Sequence, residues 1–182
     1  GKFTKTQDVL KVCCPYDGEL IAETYLAGKN ELETAITGAL AVRDEMKNLP
    51  TYRRYEALMQ IAGQIKAGRD HLAKVLALEA AKPLKLALVE IDRAVQTFIV
   101  AAEETKRLPS EYFSTDWTPA GEGKEGLVKY FPIGLIAGIA PFNFPLMLAV
   151  HKIAPALASG NPIILKPARA TPLSVLELAK II

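Results

Sequence analysis

The chain has 182 residues, half of them hydrophobic and 23% charged, with twelve glycines and twelve prolines. That is a globular balance, and it excludes a disordered tail, a collagen-like fibre and a disulfide scaffold. The formal net charge of +2 and a pI near 8.5 leave no long-range field for nucleic acid.

The chain begins at Gly1 where an initiating Met would stand, which points to processing or a tag remnant. Lys2, Lys5 and Asp8 interrupt the apolar run that a signal peptide needs. Val9 to Cys14 and Glu19 to Leu26 read as strands around Pro15-Tyr16-Asp17-Gly18, a turn with Pro fixing φ and Gly free for positive φ. Cys13 and Cys14 are adjacent and cannot tie distant segments together, so the expected compartment is reducing and cytoplasmic. With no basic neighbour except Lys11, they make a poor nucleophile site. Asn30 with Glu33 resembles a capping box, and Leu32, Ala35, Ile36, Ala39 and Leu40 follow at helical spacing. A second helix is expected over about 51–68, with Leu58, Ile61, Ala62 and Ile65 on one face. Asp70 reads as the N-cap of a third, which ends at Pro83. Pro83 can open a fourth at its first position, carrying Leu84, Leu88, Ile91, Val95, Phe98 and Ala102 to about Arg107.

Residues 109–126 turn rich in Pro, Ser, Thr, Glu and Gly, and Gly126 to Phe131 reads as a strand. This section predicts a hairpin-like excursion. Its aromatics Tyr112, Phe113 and Trp117 either anchor an interface or cover a small sheet. From Tyr130 to Val150 there is no charge, a length that could span a bilayer. Pro141 and Pro145 would break such a helix, so the segment reads as strand, turn and helix of a protein with no membrane span. Ile133 to Ala140 suits a strand buried on both faces. Pro145 to Ala158 is helical in spacing, Ile163 to Leu165 is a second buried strand, and Thr171 caps a helix beginning at Pro172. The fold class is therefore α/β, closing with a βαβ unit of a parallel sheet. A chain ending at Ile182, inside that last helix, is expected to be truncated, proteolysed or part of a longer protein.

Three groups of residues carry chemistry. In Pro141-Phe142-Asn143-Phe144-Pro145 a strand ends and a helix starts, the place where open α/β sheets set their ligands. The Asn143 amide either donates to a developing oxyanion there or satisfies its own turn. Lys166-Pro167-Ala168-Arg169 follows the second strand, where the adenosine ribose of a dinucleotide lies and a basic residue suits a 2′-phosphate. A solvated basic loop is the alternative, and no G-x-G-x-x-G follows the first strand. Phe144, Leu148 and His151 share one helix face, with Lys152 next, and His151 is either a core histidine or a site residue. His71 is the only other histidine and lies on another helix, so no metal site is expected.

In order, Pro132-Ile133-Gly134, Pro141-Phe142-Asn143-Phe144-Pro145, His151 through Asn161, Lys166-Pro167 and Thr171-Pro172-Leu173 resemble the aldehyde dehydrogenase superfamily. Pro15 to Gly18 and the run Glu79, Lys82-Pro83, Glu90, Arg93 are similar to it more loosely, with Ala81 where glycine is usual. The resemblance implies the N-terminal portion of that fold: residues 1–108 as strands and helices of the cofactor-binding domain, 109–131 as an oligomerisation hairpin, and 132–182 as the start of a Rossmann-like core. It implies Asn143 as oxyanion donor, Lys152 near proton-transfer steps, and Phe144, Leu148 and His151 in the aldehyde tunnel. Ile139, Ala140, Pro141, Phe142, Lys166 and Arg169 would contact the cofactor. Many NAD-using members carry Glu at the position of Arg169, so NADP becomes as credible as NAD. The implied activity is NAD(P)-dependent oxidation of a small-molecule aldehyde to a carboxylic acid by a homo-oligomer. The nucleophilic cysteine, general-base glutamate and pyrophosphate-contacting loop would all come after Ile182. The 182 residues alone are therefore expected to be inactive. Two alternatives stay open: an acylating, coenzyme A-dependent enzyme, or a non-catalytic binding or assembly module.

Overall fold

The computed structural model describes residues 2–182; Gly1, and the reading placed on it, lie outside the described residues. Strands β1 (Val9–Cys13) and β2 (Leu20–Tyr25) pair antiparallel, with an irregularity at Val12/Cys13. The Pro15–Gly18 turn between them has Gly18 at φ +77°, as its residue types require. Helices α1 (Lys29–Ala41), α2 (Arg43–Asn48), α3 (Thr51–Ala67), α4 (Arg69–Ala80) and α5 (Leu84–Thr105) follow. Next come an antiparallel hairpin of β3 (Ser110–Ser114) and β4 (Glu125–Lys129), then β5 (Ile136–Ile139), α6 (Pro145–Ala158), β6 (Ile163–Lys166) and α7 (Leu173–Ile181). β5 and β6 are parallel with Ile136 opposite Ile163 and Ile139 opposite Lys166. This is the expected βαβ unit.

One apolar core holds α3 to α7 together. Leu58, Ile61, Ala62 and Ile65 of α3 meet Leu72 and Leu76 of α4, Ile91 and Phe98 of α5, and Leu146, Val150 and Ile153 of α6. All four expected α3 residues are buried. Helix spacing produced this stripe, and burial of its large side chains contributes about 1.5–3 kcal/mol each.

Several helix starts differ from the sequence reading. The α1 capping bond joins the Gly28 N–H to Glu31 Oε2 at 2.7 Å, two residues before the Asn30/Glu33 pair. Asp70 lies inside α4, in its first turn, because Gly68 provides the entry. Pro83 is the residue before α5 instead of its first. Helix α7 starts at Leu173, and Thr171 does not cap it. Its buried Oγ1 has no partner, while the carboxylate of Glu79 takes the Leu173 and Ser174 N–H groups at 2.6 and 3.0 Å.

The last strand pair also departs from expectation. Ile133 is 89% and Ile139 67% exposed, so the Ile133–Ala140 run is not covered on both faces. Ala140, Ala149 and Val175, with Leu165, fill the α6 side of the pair. In the hairpin, Phe113 stacks on Trp117 with ring centroids 5.5 Å apart and lies over Gly126, where a Cβ would sit 2.7 Å from its ring. Tyr112 and Trp117 remain largely exposed.

Candidate active site

The two strands of the βαβ unit end side by side. Because Ile139 pairs with Lys166 and the Ala140 N–H donates to the Lys166 carbonyl at 3.0 Å, the Pro141–Phe144 turn and the Lys166–Arg169 loop leave the same end of the sheet. Ala140 is buried, whereas Pro141, Phe142, Asn143 and Phe144 are exposed. The Asn143 side-chain amide makes no hydrogen bond among the described residues, so the turn does not consume it. Lys166 and Arg169 are exposed as well, and no Asp or Glu lies between Leu165 and Leu176. That loop suits an anion better than a bare ribose.

The turn is held from behind. Phe144 occupies the N-cap position of α6, and its carbonyl accepts the Leu148 N–H, but its side chain has no acceptor to offer the helix. Instead Glu90 of α5 reaches across, and its Oε1 accepts the Met147 N–H at 3.1 Å. Its other oxygen pairs with Lys82 Nζ at 2.5 Å, a pair with side chains only 1% and 14% exposed. The same ammonium donates to the Asn143 carbonyl at 3.2 Å and lies 4.5 Å from the Phe144 ring centroid. Lys82 follows Ala81, whose φ of 46° and ψ of 40° reverse the chain after α4. Glycine would adopt that left-handed conformation without cost.

Glu79 and Glu90 thus cap two helices whose N-termini face the same end of the sheet. Burial holds the Glu79 carboxyl above its ordinary value, against the opposing pull of its hydrogen bonds at the start of α7. Both residues stand in the run Glu79, Lys82-Pro83, Glu90, Arg93, in which sequence alone assigns neither a role. A signal existed: Glu90 falls on the stripe Ala87, Ile91, Ala94, Val95, Phe98, and Glu79 on Leu72, Ala73, Leu76. A carboxylate on a core stripe must find partners.

His151 and Lys152 face different surroundings. His151 joins Met147 and Pro155 along a groove of about 740 Å³ between α5 and α6, opposite Arg93, Thr97 and Val100. Phe144 and Leu148 are not on its wall; Phe144 stands at its Arg93 end, the guanidinium 6.0 Å from its ring centroid. Leu148 is half-buried, and its carbonyl accepts from Lys152 Nζ at 3.3 Å. The Lys152 stem runs over β5, its Cδ 3.5 Å from where a Cβ on Gly138 would stand, while Leu165 Cδ1 would be only 2.8 Å away. Only glycine lets α6 and β6 side chains approach β5 this closely. Asn161 fixes the strand's start: its Oδ1 accepts the Gly134 N–H at 2.8 Å and its amide donates to Ser159 Oγ at 2.7 Å. No group of three or more His, Cys, Asp or Glu able to hold a metal occurs among the described residues. None of their helices is long and apolar enough to cross a membrane.

This strand–turn–helix–strand arrangement, with helix N-termini and a basic loop at one sheet end, is one that nucleotide-binding α/β proteins share. Comparison with known proteins narrows it. The aldehyde dehydrogenase family profile matches residues 3–182, and the chain belongs to that family. A lactaldehyde dehydrogenase of Methanocaldococcus jannaschii is 42% identical over 182 residues, all of this chain and 38% of that protein. Aldehyde dehydrogenase 21 of Physcomitrella patens, solved with the reaction product succinate, superposes with a TM-score of 0.94 at 37% identity, covering 98% of this chain and 37% of that one. Glyceraldehyde-3-phosphate dehydrogenase of M. jannaschii, solved with NADP, gives a TM-score of 0.83 at 39% identity, over 94% of this chain and 36% of that one. The chain thus spans little more than a third of the length of these relatives.

Proposed function

We propose that this chain is the N-terminal portion of an NAD(P)-dependent aldehyde dehydrogenase that oxidises a small-molecule aldehyde to its acid. Residues 1–108 and 132–182 belong to its cofactor-binding domain, and 109–131 form a hairpin between copies. Exposed Tyr112, Trp117 and Leu127 supply apolar surface for that contact. The observation that carries the reading is the Asn143 amide, free and exposed beyond β5 while its backbone is fixed from behind. An N–H donor held there is placed to receive charge that develops on an aldehyde oxygen under attack, without reorganising.

Ile139 to Phe142 line the nicotinamide end and Lys166 and Arg169 the adenosine end of the cofactor. NAD(P) held there would supply the hydride acceptor. Arg169 recognises a 2′-phosphate by charge-assisted hydrogen bonds, so NADP serves at least as well as NAD. The M. jannaschii structure solved with NADP supports that preference. His151 and Phe144 border the aldehyde's approach along the α5–α6 groove, with Leu148 behind them, and Lys152 serves proton transfer. The test is aldehyde-dependent NAD(P)H formation by the whole enzyme, with and without coenzyme A. Free acid formed without coenzyme A supports the reading. A strict requirement for coenzyme A identifies an acylating enzyme instead, and no reduced cofactor from any aldehyde refutes both.

A further inference from the structure

We infer that Lys82 is a positioning residue for the oxyanion turn, acting through Glu90 and the Asn143 carbonyl. This rests on the proposed donor role of Asn143.

Helix α6 has no cap of its own. Phe144 precedes it, Pro145 opens it without an N–H, and the first turn depends on a carboxylate brought from α5. Glu90 is a costly cap, because a carboxylate only 2% exposed needs a counter-charge. Lys82 supplies it at 2.5 Å. A counter-charge alone would need no further contact. Yet the same ammonium donates to the Asn143 carbonyl at 3.2 Å and rests 4.5 Å from the next residue's ring. One nearly buried cation, following the left-handed turn at Ala81, therefore touches the Asn143 carbonyl on one side of the peptide that leads into the helix and the Phe144 ring on the other. It holds the carbonyl of the residue whose side chain does the work. Asn143 lies on an exposed turn, and among the described residues no other hydrogen bond reaches its backbone. A donor displaced by a fraction of an ångström loses much of its effect on a transition state.

Two roles can be separated. If Lys82 only neutralises Glu90, removing both charges together is harmless. If it positions Asn143, the contact to the Asn143 carbonyl is still lost. Lys82→Met combined with Glu90→Gln in the whole enzyme makes this comparison: Gln keeps an oxygen for the Met147 N–H, and no buried charge is left unpaired. Melting temperature, kcat and the KM for NAD(P) are measured for this variant, for Asn143→Ala and for all three changes together. The expected result is a melting temperature within a few degrees of the unaltered enzyme and a kcat lowered at least tenfold with the cofactor KM unchanged. Adding the neutral pair to Asn143→Ala should cost less than twofold more, since there is no donor left to position. Recovery of full kcat by the neutral pair overturns the inference. So does an equal loss of kcat with and without Asn143, or a loss matched by the cofactor KM. If the neutral pair does not fold, Lys82→Arg, which keeps charge and donors, replaces it in the same cycle. It must lower kcat, and that loss must vanish in the Asn143→Ala background, or the inference fails. Asn143→Ala alone leaving kcat unaltered refutes the donor role itself, a separate failure.

Discussion

Ala81→Gly should stabilise the protein, and the structure sets how much. Ala81 sits at φ 46°, the only described non-glycine residue with positive φ, and its side chain is exposed, so no packing is lost with the methyl group. Holding a Cβ in the left-handed region costs about 1–2 kcal/mol. Glycine removes that cost but loosens the unfolded chain, which offsets roughly 0.4–1 kcal/mol of the gain. The net is about 0.5–1 kcal/mol in favour of glycine. The turn's own bonds, including Lys82 N–H to the Ala77 carbonyl at 3.0 Å, keep the same geometry in both. For a chain of this size each kcal/mol moves the melting point by about 2–4 °C, so a rise of about 1–4 °C is expected in calorimetry or thermal circular dichroism. Ala81→Val, branched at Cβ, should move it the other way. A fall in melting temperature for Ala81→Gly would refute the left-handed assignment, and with it the placement of Lys82.

Other substitutions test the remaining parts. Asn161→Ala leaves the Gly134 N–H without its buried acceptor and should cost about 2 kcal/mol, read as a lower urea midpoint at unchanged slope. Because burial raises the Glu79 carboxyl in the fold, its contribution is full below the unfolded value of 4.5 and lost as pH rises through the raised one. Glu79→Gln should therefore flatten the dependence of stability on pH just above 4.5; an unaltered slope would show that Glu79 titrates normally. In the whole enzyme Arg169→Glu should lower kcat/KM for NADP at least tenfold relative to NAD, through repulsion of the phosphate and a new acceptor for the ribose. An unchanged ratio would place cofactor choice elsewhere.

Much of this architecture was legible because it depends on local pattern. The α3 stripe follows from apolar spacing, and α6 runs from Pro145 to Ala158 as read, since Pro145 marks its start and Ser159-Gly160 its end. The βαβ unit follows from two apolar runs around that helix. What escaped the reading is what the chain brings from far away. The caps of α6 and α7 come from Glu90 and Glu79, more than fifty and ninety residues earlier, and no local motif announces such a partner. Thr171 looked like a cap because capping rules are local, and here a distant carboxylate took its place. An apolar run also does not tell which face finds cover: Ile133 and Ile139 lie open while Gly134, Gly138 and Ala140 are buried. Of the site residues, Asn143, Lys166 and Arg169 could be placed at one sheet end from order alone. The separation of His151 from Lys152 needed the packing of α6 against both α5 and β5.

Whether Asn143 stabilises charge on the substrate is decided by single-turnover kinetics of Asn143→Ala in the whole enzyme. Enzyme with bound NAD(P) is mixed with saturating aldehyde, and the formation of reduced cofactor is followed. An oxyanion donor at Asn143 predicts a rate of hydride transfer lowered by about a hundredfold or more, with NAD(P) affinity unchanged. A rate equal to that of the unaltered enzyme would make Asn143 a turn residue and contradict that role.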